Sequence, residues 1–477
     1  MSTTTRRHNA ADQAVAYLRG AGERFVDDLA AFVRFPSVSA QPAHAVDIER
    51  CALWLADHLR TIGLEHVRIA RTRGHPIVQA DWLHAPRRDT VLIYGHYDVQ
   101  PAEPLGKWVS SPFEPAVRGN ELYGRGASDD KGQLFVHVKA IESYLRSGGS
   151  LPVNVKCLFE GEEEIGSPNL AEFVAAHRHE LVAQCAVLSD TPILAPDRPA
   201  ITYGLRGGLS MELEIATLEH DLHSGNFGGA VHNAIQVLSD VLASLHDKNG
   251  RIAIADFYDR VLAVSSAERT YLQRNGPSDW ELLRSAGGVR AAGEPGYTAY
   301  ERTAIRPALS ITGIQGGYSG PGVKAVIPAR ASAKLNFRLV PQQEPDEIER
   351  LFRTHVGRVI SPSVRFRIRT GLSARPVLLR WDHSVMRAAA SAYQSSFDQL
   401  PVLIRSGGTI PVAALLQDVL RIPTVLMGFA LPDDRMHAPN ERFRLPMFFR
   451  GIKTSIQFLA EMSKRSSAAP GRERVLH

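Results

Sequence analysis

Apolar positions recur along the chain with two different periods, and the change from one to the other divides it. Residues 23–35 place Phe25, Leu29, Phe32 and Val33 on one helical face, and Pro36 ends that helix. Residues 49–62, around Leu53, Trp54 and Leu59, predict a second helix that stops at Gly63. Three short apolar runs follow, at 91–94, 153–159 and 186–188, in alternation with helical segments. Residues 132–147, closed by Gly148 and Gly149, form the helix between the first two runs. Strands alternating with helices predict an α/β fold, a largely parallel sheet flanked by helices. In such sheets ligands bind beyond the carboxyl ends of the strands.

The pattern changes after Tyr203. Residues 210–216 (SMELEIA), 331–339 (ASAKLNFRL) and 364–368 (VRFRI) alternate polar and apolar side chains, as half-exposed strands do. Residues 233–245 are helical, with Ile235, Leu238, Val241, Leu242 and Leu245 in register. This predicts a small α+β domain at 203–377 inserted into a discontinuous first domain, 1–202 and 378–462. Residues 246–300 carry helix-like pieces that the pattern does not place. The strand-like run 424–427 and a closing helix, 448–462, complete the first domain, and 463–477 read as a disordered tail. At 477 residues, two hydrophobic cores are the default.

Composition narrows the function classes. The 55 Lys and Arg against 50 Asp and Glu leave a net charge of only +5, part of it in the end segments (Arg6, Arg7, Lys464, Arg465, Arg472, Arg474). No basic run interleaved with aromatics supports a nucleic-acid surface. The beginning of the chain has no apolar signal-like core, and no run is long enough to span a membrane. The cysteines Cys51, Cys157 and Cys185 lie in apolar runs without a C-x-x-C pair, as free thiols of a reducing compartment would. A cytoplasmic enzyme is expected.

The candidate chemistry lies where the predicted strands run out. His96 and Asp98 follow VLIYG, Asp129 and Asp130 stand in GRGASDDKG, Glu162–Glu164 follow VNVKCLFEG, Asp190 ends AVLSD, and His437 lies in DDRMHAPN. Carboxylate and imidazole suit a hard or borderline divalent metal. Residues i and i+2 of a strand share a face, so His96 can ligate while Asp98 orients it. A lone H-x-D is more commonly a satisfied surface pair, and it gains meaning from the other clusters. A carboxylate of the Asp129–Asp130 pair can bridge two metals about 3.5–4 Å apart, and Asp130 can also cap the helix that follows. A run of three glutamates is ordinarily a solvated face. Directly after an apolar strand, one of them can bind metal while its neighbour serves as general base. Asp190 and His437 alone would be unremarkable.

Taken together, the segments YGHYDVQP (94–101), LYGRGASDDKG (122–132), FEGEEEIGS (159–167), SD (189–190), TYGLRG (202–207), DLHSGNFGGAVH (221–232), NFRLVP (336–341), SGGTIPV (406–412) and MHAPNE (436–441) resemble the two-metal exopeptidase and deacylase family. That family includes carboxypeptidase G, aminoacylase-1, succinyl-diaminopimelate desuccinylase and the cytosolic dipeptidases. The likeness is strongest to the cytosolic nonspecific dipeptidase and carnosinase branch and runs from about Phe35 to Met462. It implies two divalent metals, zinc first and manganese second. His96, Asp129 and Asp190 would hold one, and Asp129, Glu164 and His437 the other, with Asp129 bridging. Glu163 would be the general base acting on the bridging water, and Asp98 would orient His96. The resemblance implies a cis bond between the paired aspartates. It makes the inserted domain a lid and homodimerisation domain, from which His223 would stabilise the oxyanion in the partner's site. Arg338 would hold a substrate carboxylate, with Thr409, Gly407 and Gly408 beside the substrate. An aspartate at 190 goes with dipeptidases and aminopeptidases of the family, a glutamate with carboxypeptidases and deacylases.

Two positions depart from the dipeptidase pattern: Ser406 replaces a glutamate before Gly407–Gly408, and Ala325 a threonine before VIP. The expected activity is metal-dependent hydrolysis of dipeptides or short peptides. The alternatives are a deacylase acting on N-acyl or N-carbamoyl amino acids and a non-catalytic binding protein with a vestigial site. A complete ligand set and base argue against the latter.

Overall fold

A computed structural model of the chain describes residues 3–288 and 290–464. They form two compact units. One comprises the chain up to Tyr203 with Leu379–Ile404 and the described residues from Leu415 onward; the other comprises Gly204–Leu378 and Arg405–Ala414.

The first unit is built on a mixed sheet. Its strands run in the order Glu65–Ala70, Ile77–Trp82, Asn154–Glu160, Thr90–His96, Cys185–Leu188, Thr424–Leu426 and Ala200–Leu205. The four central strands, from Asn154–Glu160 to Thr424–Leu426, are mutually parallel. Ile77–Trp82 joins antiparallel at one side and Ala200–Leu205 at the other. The central strands are buried almost throughout, as continuous apolar runs covered on both faces should be. The helices expected at 23–35, 49–62, 132–147 and 448–462 are Gly22–Val33, Ala45–Ile62, Lys131–Gly148 and Leu445–Lys464. Ala45–Ile62 ends where Gly63 takes a φ of 103°, a conformation that costs glycine little. Leu53, placed at the heart of that helix from the pattern, is exposed, and Leu55, Leu59 and Ile62 form its buried face. The closing helix takes in Ser463 and Lys464, which the pattern assigned to the tail; the rest of the expected disordered tail lies outside the described residues.

The second unit is a four-stranded antiparallel sheet in the order Ala308–Gly316, Arg330–Leu339, Gly207–Ala216 and Arg365–Ala374. Alternation along Gly207–Ala216 and Arg330–Leu339 turns Leu209, Met211, Leu213, Leu335, Phe337 and Leu339 to one face. There they pack with Leu238, Val241 and Leu242 of the helix Ala234–Ser244 and with Phe352 and Val356 of Pro345–Val359. Full burial of one such side chain stabilises the unit by about 1.5–3 kcal/mol. Residues 246–300, unplaced from the sequence, include three short helices, Ser266–Asn275, Asp279–Ser285 and Ala299–Ala304. Capping boxes start two of them, Ser278 with Glu281 and Thr298 with Glu301. Arg405–Ala414, placed in the first domain from the sequence, groups with this unit for a visible reason. Tyr300 Oη donates to Arg405 O (2.8 Å) and accepts from Arg405 N (3.1 Å), and Arg206 Nε donates to Gly407 O (3.3 Å).

Candidate dinuclear metal site

The site grows from the carboxyl ends of neighbouring parallel strands. His96 closes Thr90–His96 and lies opposite Glu160 in register. Glu163 and Glu164 open a short 3-10 turn just past Asn154–Glu160. Asp190 comes two residues after Cys185–Leu188, and His437 lies on the loop after Thr424–Leu426. Asp129 and Asp130 precede the helix Lys131–Gly148, and the peptide bond between them is cis. Gly132 lets this turn close: a Cβ there would collide with the Ala127 carbonyl and stand 2.7 Å from the Phe443 ring.

Two groups of ligand atoms result, each within 4.8 Å: His96, Asp129 and Asp190, and Asp129, Glu164 and His437. Asp129 belongs to both and turns one oxygen to each histidine. Its Oδ1 is 3.3 Å from His96 Nε2 and its Oδ2 2.8 Å from His437 Nε2, with Glu164 Oε2 3.3 Å from the same His437 nitrogen. His96 Nδ1 lies 3.1 Å from the Asp98 carbonyl and 3.4 Å from its carboxylate, which leaves Nε2 to face Asp129. Asp98 also accepts from the backbone N–H groups of Glu163 (3.2 Å) and Glu164 (3.1 Å), tying two strand ends together. Among the described residues, His96 Nε2 and Glu164 Oε1 are buried without a hydrogen bond. Buried polar atoms are normally satisfied, so orphans of the ligand type in both groups fit a pair of divalent cations. A third group, Asp28, His58 and Glu142, is already filled. Lys139 Nζ lies 2.6 Å from Asp28, 2.7 Å from Glu142 and 3.0 Å from His58.

The electrostatics of the bare protein follow from crowding acids in a buried place. Burial pushes the Glu163 carboxyl up to about 7; His96 opposes this, while Glu164, Asp129 and Asp98 add to it. Burial, then Asp129, raises Asp190 well above the usual carboxylate range. For Asp129 burial acts upward too, but the contacts with His437 and His96 outweigh it and hold the group low. Those contacts raise His437, with Asp129 first and Glu164 second, to about 10. Protons thus occupy places that cations would take, and ligands must release them on binding.

Asp130 does not cap with its side chain, the role offered from the sequence; its Oδ2 accepts from His96 N (3.3 Å) instead. The second unit carries the remaining candidates. His223 is exposed, with Nδ1 accepting from Gly225 N (3.1 Å). Arg338 Nη1 donates to Thr409 Oγ1 (2.7 Å), which donates to Arg206 O (2.9 Å). Ser406 Oγ accepts from Gly408 N (3.2 Å). Three further residues went unassigned from the sequence. Gln100 Nε2 donates to Glu164 Oε2 (2.8 Å) and fixes that carboxylate. Arg206 is buried beside Arg338, donates, among the described residues, to the carbonyls of Gly407, Arg302 and Arg306, and has its pKa lowered by burial, then by Arg338, to about 10. Glu441 is fully buried behind Asp129. Their one signal was membership of the motifs YGHYDVQP, TYGLRG and MHAPNE.

Two candidate sets of nitrogen and oxygen ligands that share a carboxylate, beyond the carboxyl ends of a largely parallel sheet, are the arrangement of an α/β metal-dependent hydrolase. The model of Peptidase family M20/M25/M40 matches residues 92–461, and the chain belongs to that family; it is a metallopeptidase. It is 32% identical over 461 residues to the Cys-Gly metallodipeptidase dug1 of Schizosaccharomyces pombe, covering 93% of this chain and 96% of that one. It is 31% identical over 464 residues to the Beta-Ala-His dipeptidase of Homo sapiens, covering 93% and 90%. Human carnosine dipeptidase 1 superposes with a TM-score of 0.81 at 30% identity, covering 95% of this chain and 99% of that one. The M20 metallo-carboxypeptidase Sso-CP2 of Sulfolobus solfataricus does so with 0.83 at 31% identity, covering 92% and 99%. Among the described residues, no helix is long and apolar enough to cross a membrane.

Proposed function

We propose that this protein hydrolyses dipeptides with two divalent cations, zinc or manganese, one held by His96, Asp129 and Asp190 and the other by Asp129, Glu164 and His437. The observation that carries the reading is the sharing of Asp129 between two candidate ligand groups, each with a buried ligand-type atom that has no hydrogen bond among the described residues. The dipeptidase names of relatives matched over nine-tenths of the chain, and the aspartate at 190, support the substrate class. Bound cations supply a nucleophilic water at neutral pH and polarise the scissile carbonyl. Glu163 takes the proton of the attacking water and returns it to the leaving amine, a task its place beside Glu164 and Asp129 suits. Asp98 holds His96 and the Glu163–Glu164 turn in place. His223, acting in the partner subunit of a homodimer formed through the second unit, donates to the developing oxyanion. Arg338 with Arg206 binds the substrate carboxylate, since two adjacent guanidinium groups without a carboxylate partner are completed by an anion. Thr409 positions Arg338, Gly407 lets the Arg206 guanidinium approach its backbone, where a Cβ would stand 2.8 Å from Nη2, and Gly408 lies beside the substrate. Three buried cysteines that form no disulfide suit a cytoplasmic setting.

A second reading, hydrolysis of N-acyl or N-carbamoyl amino acids, is favoured by one observation. Ser406 supplies no carboxylate for a free amine, and its hydroxyl is engaged by Gly408 N. The test compares free dipeptides with their N-acetylated forms, on chelator-treated protein with and without added zinc or manganese. Metal-dependent release of amino acids from the free set is expected. Cleavage of the acylated set alone would replace the dipeptidase reading by the second.

A further inference from the structure

We infer that Glu441 is a positioning residue that locks the bridging aspartate and His437 into one rigid body. The inference rests on the two-cation reading above. Glu441 ends the MHAPNE motif, four residues after His437, and is fully buried. Both its oxygens are used, and every donor comes from the segment that ends in Asp129. Oε2 accepts from Arg125 Nη1 (2.7 Å) and Gly126 N (3.0 Å). Oε1 accepts from Ser128 N (2.9 Å) and Asp129 N (3.0 Å). A carboxylate receiving four donors is not itself free to ligate; it orders the backbone that presents the ligand. A second strut runs parallel to the first: Ser128 Oγ donates to Asp434 Oδ2 (3.1 Å), which also accepts from Leu431 N (2.7 Å). Gly124 N donates to the Glu441 carbonyl (3.0 Å). The loop of His437 and the turn of Asp129, more than three hundred residues apart, are thereby one assembly.

This geometry has an asymmetric consequence. Loosening the assembly displaces two of the three ligands in the Asp129, Glu164 and His437 group. It displaces only Asp129 in the group with His96 and Asp190. In Glu441→Gln an amide NH2 replaces one acceptor oxygen and faces two donors, so half of the clamp opens without loss of volume. The test is calorimetric titration of chelator-treated protein with Zn2+, together with the absorption spectrum of the Co2+-loaded form. Wild type is expected to take two ions per chain. Glu441→Gln is expected to keep a cooperative melt but bind one ion roughly 10–100-fold more weakly, the usual effect of losing an outer partner of a ligand, with an altered cobalt spectrum. If that variant does not melt cooperatively, Glu441→Asp, which keeps the charge but not the reach, carries the same test. A folded variant with wild-type affinity at both positions and an unchanged spectrum would overturn the inference alone. A wild type that takes fewer than two ions would overturn the two-cation reading, and this inference with it.

Discussion

Glu163 and Arg206 show how much of a residue's role is set by what surrounds it. Glu163 is one of three successive glutamates, and its withdrawal from water, with Glu164, Asp129 and Asp98 close by, raises its pKa. We predict that Glu163→Gln will bind metal as wild type does yet lose at least ~100-fold in kcat, the usual scale for a general base. Near-normal turnover in a metal-loaded sample would remove Glu163 from that role. Arg206 makes the same point for binding, because among the described residues its donors meet carbonyls and no carboxylate. Arg206→Met is expected to raise KM for peptides with a free carboxyl terminus and leave C-terminally amidated peptides little changed. An equal effect on both would mean that Arg206 only supports the fold. The residue types of the candidate ligand groups were legible in the motifs. The service of Gln100 and Glu441 was not, because a hydrogen bond to a distant loop leaves no local pattern.

At the scale of elements, the helix Lys131–Gly148 joins fold and site. Gly132 lets its first turn close, Lys139 fills the cluster of Asp28, His58 and Glu142, and His137 lies buried between two hydroxyls, Ser455 (2.9 Å) and Ser189 (2.7 Å). Burial lowers the His137 pKa to about 3. The sign of the resulting pH dependence follows. An unfolded histidine gains a proton from about pH 6.5 downward, and the folded one does not until about 3. Its contribution is therefore intact above about pH 6.5 and eroded as pH falls to 3, by about 1.4 kcal/mol per pH unit. In urea melts of metal-free protein, His137→Gln should differ most from wild type near pH 7. That difference should shrink at about this rate below pH 6.5. A difference that stays constant with pH would mean that His137 titrates normally in the fold. The buried parallel strands and long amphipathic helices were legible from periodicity. The helix Thr3–Gly20 was not, since its polar sequence shows little of a repeating apolar face, and the capping boxes at Ser278 and Thr298 were local signals that went unread.

For the whole molecule, the proposed homodimer gives a prediction that no single chain can meet. His223→Ala and Asp129→Ala should each be nearly inactive alone. Mixed under conditions where subunits exchange, they should recover part of the activity, because a hybrid dimer holds one site with both residues. No recovery despite demonstrated exchange would confine His223 to its own chain. The sequence by itself determined the α/β class, the presence of an inserted α+β domain and the residue types of the candidate metal site. These depend on periodicity along single elements and on motifs a few residues long. Only the tertiary structure decided that Arg405–Ala414 packs with the second unit, that the Asp130 carboxylate holds His96 N rather than capping the helix it precedes, and that Asp129 turns one oxygen to each histidine. It also decided that Glu441 grips the backbone of Asp129. Each of those depends on which distant segments meet, and a contact between residues hundreds of positions apart is settled by packing and by the demand that buried polar groups find partners.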